Sequence, residues 1–338
     1  MMNTLYRLAC SALSPRGTRA RLSILTYHRV LAEADDLLPD EMTAALFEAQ
    51  LGALKATFNV LPLGEAVARL KSASLPPRAA CITFDDGYAD NVTIALPILQ
   101  RHGLHATFFI ATAYLNGGRM FNDTIIHAIR HSRAERIDLS RLGLGQYDLR
   151  TLEAKRRALG EILWKVRYEL PGERRADSVE ELARTATDAP PPNDLMMDTR
   201  QLEALARAGM EIGGHTARHP ILAQLDATAA SREIAEGRDY LEALLGTKVR
   251  LFAYPNGRPG VDYLPEQTAI PRKLGFDAAV STHWGAARQG DDIFQLPRFT
   301  PYTNNIRQFT PMLLRNLARR QELPHIQARE NTESAILD

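Results

Sequence analysis

The chain has 338 residues, 45% of them hydrophobic, and 41 Lys and Arg against 40 Asp and Glu give a formal charge of +1. The apolar share supplies one large core or two smaller ones, and the charge balance gives no sign of a nucleic-acid surface. Two cysteines, Cys10 and Cys81, exclude a disulfide framework and a cysteine-rich metal site.

No stretch approaches the ~20 apolar residues of a membrane helix. The apolar run at 8–13 is short, contains Cys10 and Ser11, and stops at Pro15. A secretory segment needs a longer uninterrupted block, so a cytoplasmic location is expected. The first predicted strand covers 23–30 and ends in Tyr27 and His28. An amphipathic helix follows at 42–58, where Met42, Leu46, Phe47, Leu51, Leu54 and Phe58 recur at helical spacing. A brief strand at 60–63 and a helix at 64–73 come next, and Pro76 and Pro77 break the chain before a strand at 79–84.

The pattern at 88–102 is helical, with Gly103 placed to stop it. A buried-type strand follows at 106–112. Asp198 and Gln201 form the signature of a capping box opening a helix to Ala208. Strands at 210–214, 250–254 and 278–282 then alternate with helices at 228–245 and 266–274. A strand-like piece, Leu296-Pro297-Arg298-Phe299, and a helix at 305–320 complete the order, and residues 321–338 read as a flexible tail. Such alternation predicts a parallel α/β architecture. His28, Asp85, Asp86, His215, the 254–256 segment and Arg298 all fall at or past strand ends, which favours a barrel, whose strand ends converge on one catalytic face.

The alternation is interrupted between Ala113 and Asp194. A strong amphipathic helix at 152–170 and three consecutive prolines at 190–192 mark a helical insertion on a barrel spanning 20–320. Its basic polar face leaves two readings open: a solvated helix packing on the barrel, or a lid or membrane-surface face.

The chemistry centres on two stretches. Asp85 and Asp86 sit at the mouth of a buried strand, where like charges resist joint desolvation unless a cation accompanies them. His215 and His219 are four apart, and Pro220 keeps His219 out of a helix. Two imidazoles and a carboxylate are a common ligand set for catalytic zinc.

Thr83-Phe84-Asp85-Asp86-Gly87 followed by His215-Thr216-Ala217-Arg218-His219 resembles the first two motifs of the polysaccharide deacetylases, the NodB-homology group or carbohydrate esterase family four. The resemblance implies a distorted (β/α)7 barrel and a metal-dependent hydrolase removing N-acetyl groups from amino sugars of a glycan or its precursor. It implies Asp86, His215 and His219 as ligands of a divalent metal, most simply Zn2+, and Asp85 as the base.

The family's usual acid, a Leu-x-His, is replaced by Leu296-Pro297-Arg298. Leu323-Pro324-His325 matches the letters but lies in the tail. His28, in a setting similar to the poly-N-acetylglucosamine deacetylases, is the candidate acid or a structural histidine, with His283 in reserve. The family's arginine is absent at Ala253, and Arg298 is the candidate to hold the base in its place. The Asn256 N–H, between Pro255 and Gly257, is a candidate oxyanion donor. Tyr254 joins it as a site candidate, and Tyr88, Tyr27 and Trp284 are candidate sugar platforms or plain packing. Two rival readings stand beside this one: an amide hydrolase of the same fold acting on another acyl group or a non-sugar C–N bond, and a catalytically silent glycan-binding protein.

Overall fold

The computed structural model describes residues 2–170 and 172–319. Helix α1 (Met2–Leu13), where sequence predicts no element, packs on the helices at 44–57 and 306–318 and buries Cys10. Then come β1 (Arg21–Tyr27), α2 (Ala44–Thr57), β2 (Asn59–Val60), α3 (Leu63–Lys71) and β3 (Ala79–Phe84). One π-helical turn (Asn91–Ala95) leads into α4 (Leu96–His102), and β4 (Thr107–Ile110) follows. After an excursion come α8 (Thr199–Arg207), β7 (Glu211–Gly214), α9 (Ala227–Leu245), β8 (Leu251–Ala253), α10 (Ala269–Lys273), β9 (Ala278–Val280), β10 (Ala287–Arg288) and α11 (Ile306–Ala318). The Asp198 capping box and the Gly103 stop are both formed.

The sheet runs β10-β1-β3-β4-β7-β8-β9, parallel throughout except for β10, with β2 on the first residues of β3. It curls on itself, and residues 296–299 bridge its two edges. Leu296 N–H donates to Ala279 O of β9, while Phe299 N–H donates to Ile24 O and Phe299 O accepts from Thr26 N–H of β1. The distorted (β/α) barrel expected from the sequence is observed as a curled half-barrel, its sheet eight-stranded once β2 and the antiparallel β10 are counted.

Side-chain alternation divides the strands. Leu22, Ile24, Cys81, Phe109, Ala253, Val280 and Leu296 form one apolar cluster, with Leu63, Val67 and Leu70 of α3. Leu25, Tyr27, Ile82, Phe84, Phe108 and Phe252 face the other way and pack under α2, α4 and α8. By this parity Thr83 and Asp85 share the side of Cys81.

The excursion contains α5 (Phe121–His131), the hairpin β5 (Arg136–Asp138) and β6 (Gln146–Asp148), α6 (Leu152–Tyr168) and α7 (Gly172–Ala186). Only α6 was predicted there. These elements share their own apolar cluster around Ile125, Ile129, Leu159, Ile162, Val166 and Leu182, which Leu37 joins from the loop after β1. The chain returns where Met196 bridges Tyr88. Among the described residues no helix is long and apolar enough to cross a membrane. The sequence call on 321–338, including His325, lies outside the described residues.

Candidate active site

β3 ends in a turn that re-aims one of two adjacent carboxylates. Asp85 N–H still bonds to Tyr27 O and extends the ladder. Asp86 then adopts φ +77° and Gly87 φ +95°, left-handed conformations that Asp tolerates better than most residues and glycine freely. Without this turn, strand alternation would send the two carboxylates to opposite faces. With it, both line a single cavity of about 490 Å3 at the C-terminal ends of the strands.

Asp85 is buried against Arg298, whose guanidinium donates to both carboxylate oxygens at 2.6 Å. Arg298 Nε also donates to Ser281 O and its Nη1 to Thr83 Oγ1. Burial pushes the Asp85 carboxyl up, but the Arg298 charge, with help from His215 and His28, outweighs it and leaves the pKa below the ordinary value. Asp85 is thus an ionised acceptor with a fixed orientation.

β7 delivers the imidazoles. Thr216 at φ +65° and His219 at φ +54° make the tight loop, in which Thr216 Oγ1 accepts from His219 N–H. His215 Nδ1 lies 2.7 Å from Ala253 O, so it carries the proton and leaves Nε2 as a ligand atom. Nε2 of His215 and of His219 lie 3.5 and 3.4 Å from Asp86 Oδ1, which is buried and accepts no hydrogen bond of normal length. Ligand atoms at ~2.0–2.1 Å around a tetrahedral ion stand about 3.3 Å apart, which these spacings match. All three atoms lie within 4.8 Å of one another.

Burial lowers the His219 pKa to about 3, with the neighbouring His215 and Arg167 charges adding to it, so this ring is neutral at pH 7. Burial also opposes charging His215, but Asp86 and Asp85 outweigh it and raise its pKa. Asp86 is held below the carboxylate range by the two imidazoles despite its burial. The donor set fits a divalent metal: a carboxylate oxygen without a donor, facing two ring nitrogens at ligand spacing.

Comparison with known proteins places this geometry. The family model "Polysaccharide deacetylase" matches residues 72–158 and 178–279, more than half of the chain. The chain belongs to the polysaccharide deacetylase family. The Bacillus subtilis protein YxkH, whose name assigns it to the same family, is 22% identical over 281 residues, covering 82% of this chain and 71% of that protein. Among solved structures, the Streptococcus pyogenes deacetylase PplD in complex with acetate shares a TM-score of 0.58 at 19% identity, over 88% of this chain and 98% of its own. IcaB from Ammonifex degensii gives 0.58 at 19%, over 90% and 99%. The chain is therefore a carbohydrate deacetylase, and the fold expected from its motifs holds.

The rest of this deacetylase cavity departs in part from the sequence reading. His28 is exposed and lines it. Its segment is clamped by the π-helical turn region: Asn91 Nδ2 donates to His28 O, and Asp90 accepts from Val30 N–H and Arg29 Nε. Asn256, at φ +58°, also lines the cavity, with its carbonyl held by Thr282 Oγ1. Tyr88 does as well, and so does Trp284.

Tyr254 does not. Strand parity turns it outward, where it is fully buried, stacks on Tyr263 at 3.9 Å and donates to Phe294 O. Tyr27 is likewise core, packed on Phe47 and Phe84 and bonded to Gln50, and His283 does not line the cavity.

The insertion supplies walls that sequence reasoning missed: Asn122 and Asp123 from α5, Arg167 and Tyr168 from α6. Asp123 is buried, with both oxygens 3.2 Å from Tyr88 Oη. Burial pushes its pKa up to about 7, the Asp86 charge adding to the rise against Arg29. Asn122 and Asp123 carry no signal of their own in the sequence, since no helix is predicted at 121–131. Only the seating of α5 on the Tyr88 turn buries Asp123.

Proposed function

We propose that this deacetylase is a divalent-metal-dependent N-deacetylase that hydrolyses the acetamido group of amino sugars in a polysaccharide, oligosaccharide or precursor. The observation that carries the reading is the pair of facing sets: Asp86, His215 and His219 at ligand spacing, and Asp85 locked on Arg298 beside them. Two imidazoles and a carboxylate suit zinc and its first-row neighbours better than magnesium or calcium. When bound, the ion would acidify water and polarise the scissile carbonyl.

The chain's own residues do the rest. Asp85 takes the proton of the attacking water, and Arg298 keeps it ionised and aimed. Asn256, in the cavity wall, offers its N–H as donor to the oxygen on which negative charge develops. His28, at the rim of the cavity, hands a proton to the departing amine. Barrel and insertion act as one catalytic unit, since both contribute walls to the cavity. A silent binding protein has no use for a buried, bidentate Arg–Asp pair beside a ligand set, so catalysis is favoured over that rival.

The test is acetate release from N-acetylglucosamine oligomers by metal-loaded wild type and Asp85→Asn, with metal content measured on both. The expected result is equal metal and a loss of roughly 10²–10⁴-fold in kcat for the variant, the usual worth of a positioned base. A variant as active as wild type would remove Asp85 from the mechanism. Metal without acetate, but with release of another acyl group, would move the reading to other amides.

A further inference from the structure

A second cavity of about 430 Å3 adjoins the catalytic one, between the barrel mouth and the insertion. His28, Leu38, Glu41 and Tyr302 belong to the walls of both, so the two spaces adjoin at these residues. The second space holds roughly fourteen water volumes at about 30 Å3 each. Its own walls are mainly apolar, with Leu37, Met42, Leu159, Leu163 and Pro301, and carry Asp40 and Arg156 as the charged exceptions. Water gains little from such walls, and an apolar occupant gains from them.

Gly160 makes the case sharper. It sits inside α6, where glycine costs up to about 1 kcal/mol against alanine. Gly160 is exposed on the α6 face that also carries Arg156, Leu159 and Leu163, and a Cβ there would meet nothing within 4 Å, so no packing neighbour demands its absence. What the missing side chain leaves is room, because Gly160 lines the second cavity. Tyr302, two-thirds exposed, extends the apolar wall to the surface.

We infer that this annex receives an apolar group covalently carried by the substrate, so that the sugar presented to Asp86 belongs to an amphiphilic glycoside with a lipid or alkyl aglycone. The shared rim argues for the occupant: a group reaching the annex beside His28 is most simply part of the molecule whose sugar fills the catalytic cavity. The inference rests on the deacetylase reading and narrows its substrate class.

The experiment compares kcat/KM for tri-N-acetylchitotriose and for its octyl glycoside, below the micelle concentration, in metal-loaded wild type and Gly160→Leu. Leucine suits a helix and fills the annex, and Gly160→Ala serves as a folding control. Each methylene buried is worth about fourfold in affinity. The expected result is a gain of tenfold or more for the octyl glycoside in wild type, expressed in KM. It falls below twofold in Gly160→Leu, while the rate on the free trisaccharide is unchanged. Equal kcat/KM for the two substrates in wild type, or a gain that survives Gly160→Leu, overturns the inference.

If neither substrate is hydrolysed, the deacetylase reading is what fails, and calorimetric binding of the octyl glycoside decides the annex. Binding to wild type and not to Gly160→Leu supports it, and equal or absent binding overturns it. Dimerisation abolished by Gly160→Leu would assign the annex to a second copy of the chain and also overturn it.

Discussion

Replacing Arg298 by methionine removes the charge while keeping much of the stem, and strands Asp85. Both side chains are almost completely out of solvent, at 0% and 3% exposure. Breaking a buried pair from one side costs about 3–5 kcal/mol, because the remaining charge has neither water nor partner. Ser281 O and Thr83 Oγ1 lose a donor as well, which puts the loss at the upper end. At about 2.1 cal/mol/K per residue, a chain of 338 residues loses about 1.4 °C in Tm per kcal/mol, so Arg298→Met should lower Tm by roughly 4–7 °C. Asp85→Asn/Arg298→Met should recover part of that, because it removes the stranded charge. Chemical denaturation of wild type, both single variants and the double variant gives the coupling, expected at about 2 kcal/mol or more. Additive losses, or a single-variant cost under 1 kcal/mol, would refute the claim that the pair is a desolvated unit.

Two further predictions concern charge at the site. His219→Ala should weaken metal binding by roughly 100-fold or more, beyond what loss of an outer-shell partner costs, as read by competition with a chromophoric chelator. Correspondingly, metal at 100 times its Kd should stabilise the wild type by about 2.7 kcal/mol and His219→Ala hardly at all. For Asp123, the folded-state pKa of about 7 lies above the ordinary 3.8, so the native state binds the proton more tightly than the unfolded chain. Stability therefore falls as pH rises from about 4 to 7, by an amount approaching about 4 kcal/mol. In metal-free protein, Asp123→Asn should remove that fall, so its advantage over wild type grows between pH 5 and 8. A difference that stays flat with pH would disprove the assignment.

The candidate metal-ligand set and the fold were readable because they rest on local rules. Asp85, Asp86, His215 and His219 each follow a buried-type strand, and strand ends converge in a barrel. Arg298 was readable as a candidate for the same reason. What escaped depends on packing between distant segments. The Asp90–Asn91 clamp on the His28 segment spans 60 to 63 positions and leaves no periodic signal. Asp123 is buried by a helix within an insertion whose path has no local determinant. Tyr254 was misplaced because it alternates with Ala253 and so shares the outward face of Phe252, while Leu251 and Ala253 face the barrel interior.

Arg298 also shows why the orientation of Asp85, the proposed base, and barrel closure are one event here. Residues 296–299 bond to β9 on one side and β1 on the other, and the side chain they carry inward lands on Asp85 at the end of β3. An arginine at position 253 would lie on β8, a strand already paired within the sheet. Moving the guanidinium to the closing segment couples the ion pair to the seam, so a chain with an open seam lacks an oriented base. Loosening the seam by Phe299→Ala, which removes a fully buried ring at a cost of about 3–5 kcal/mol, should therefore lower kcat for acetate release more than it raises KM. Unchanged kcat in a folded Phe299→Ala protein would show that Asp85 is oriented independently of closure.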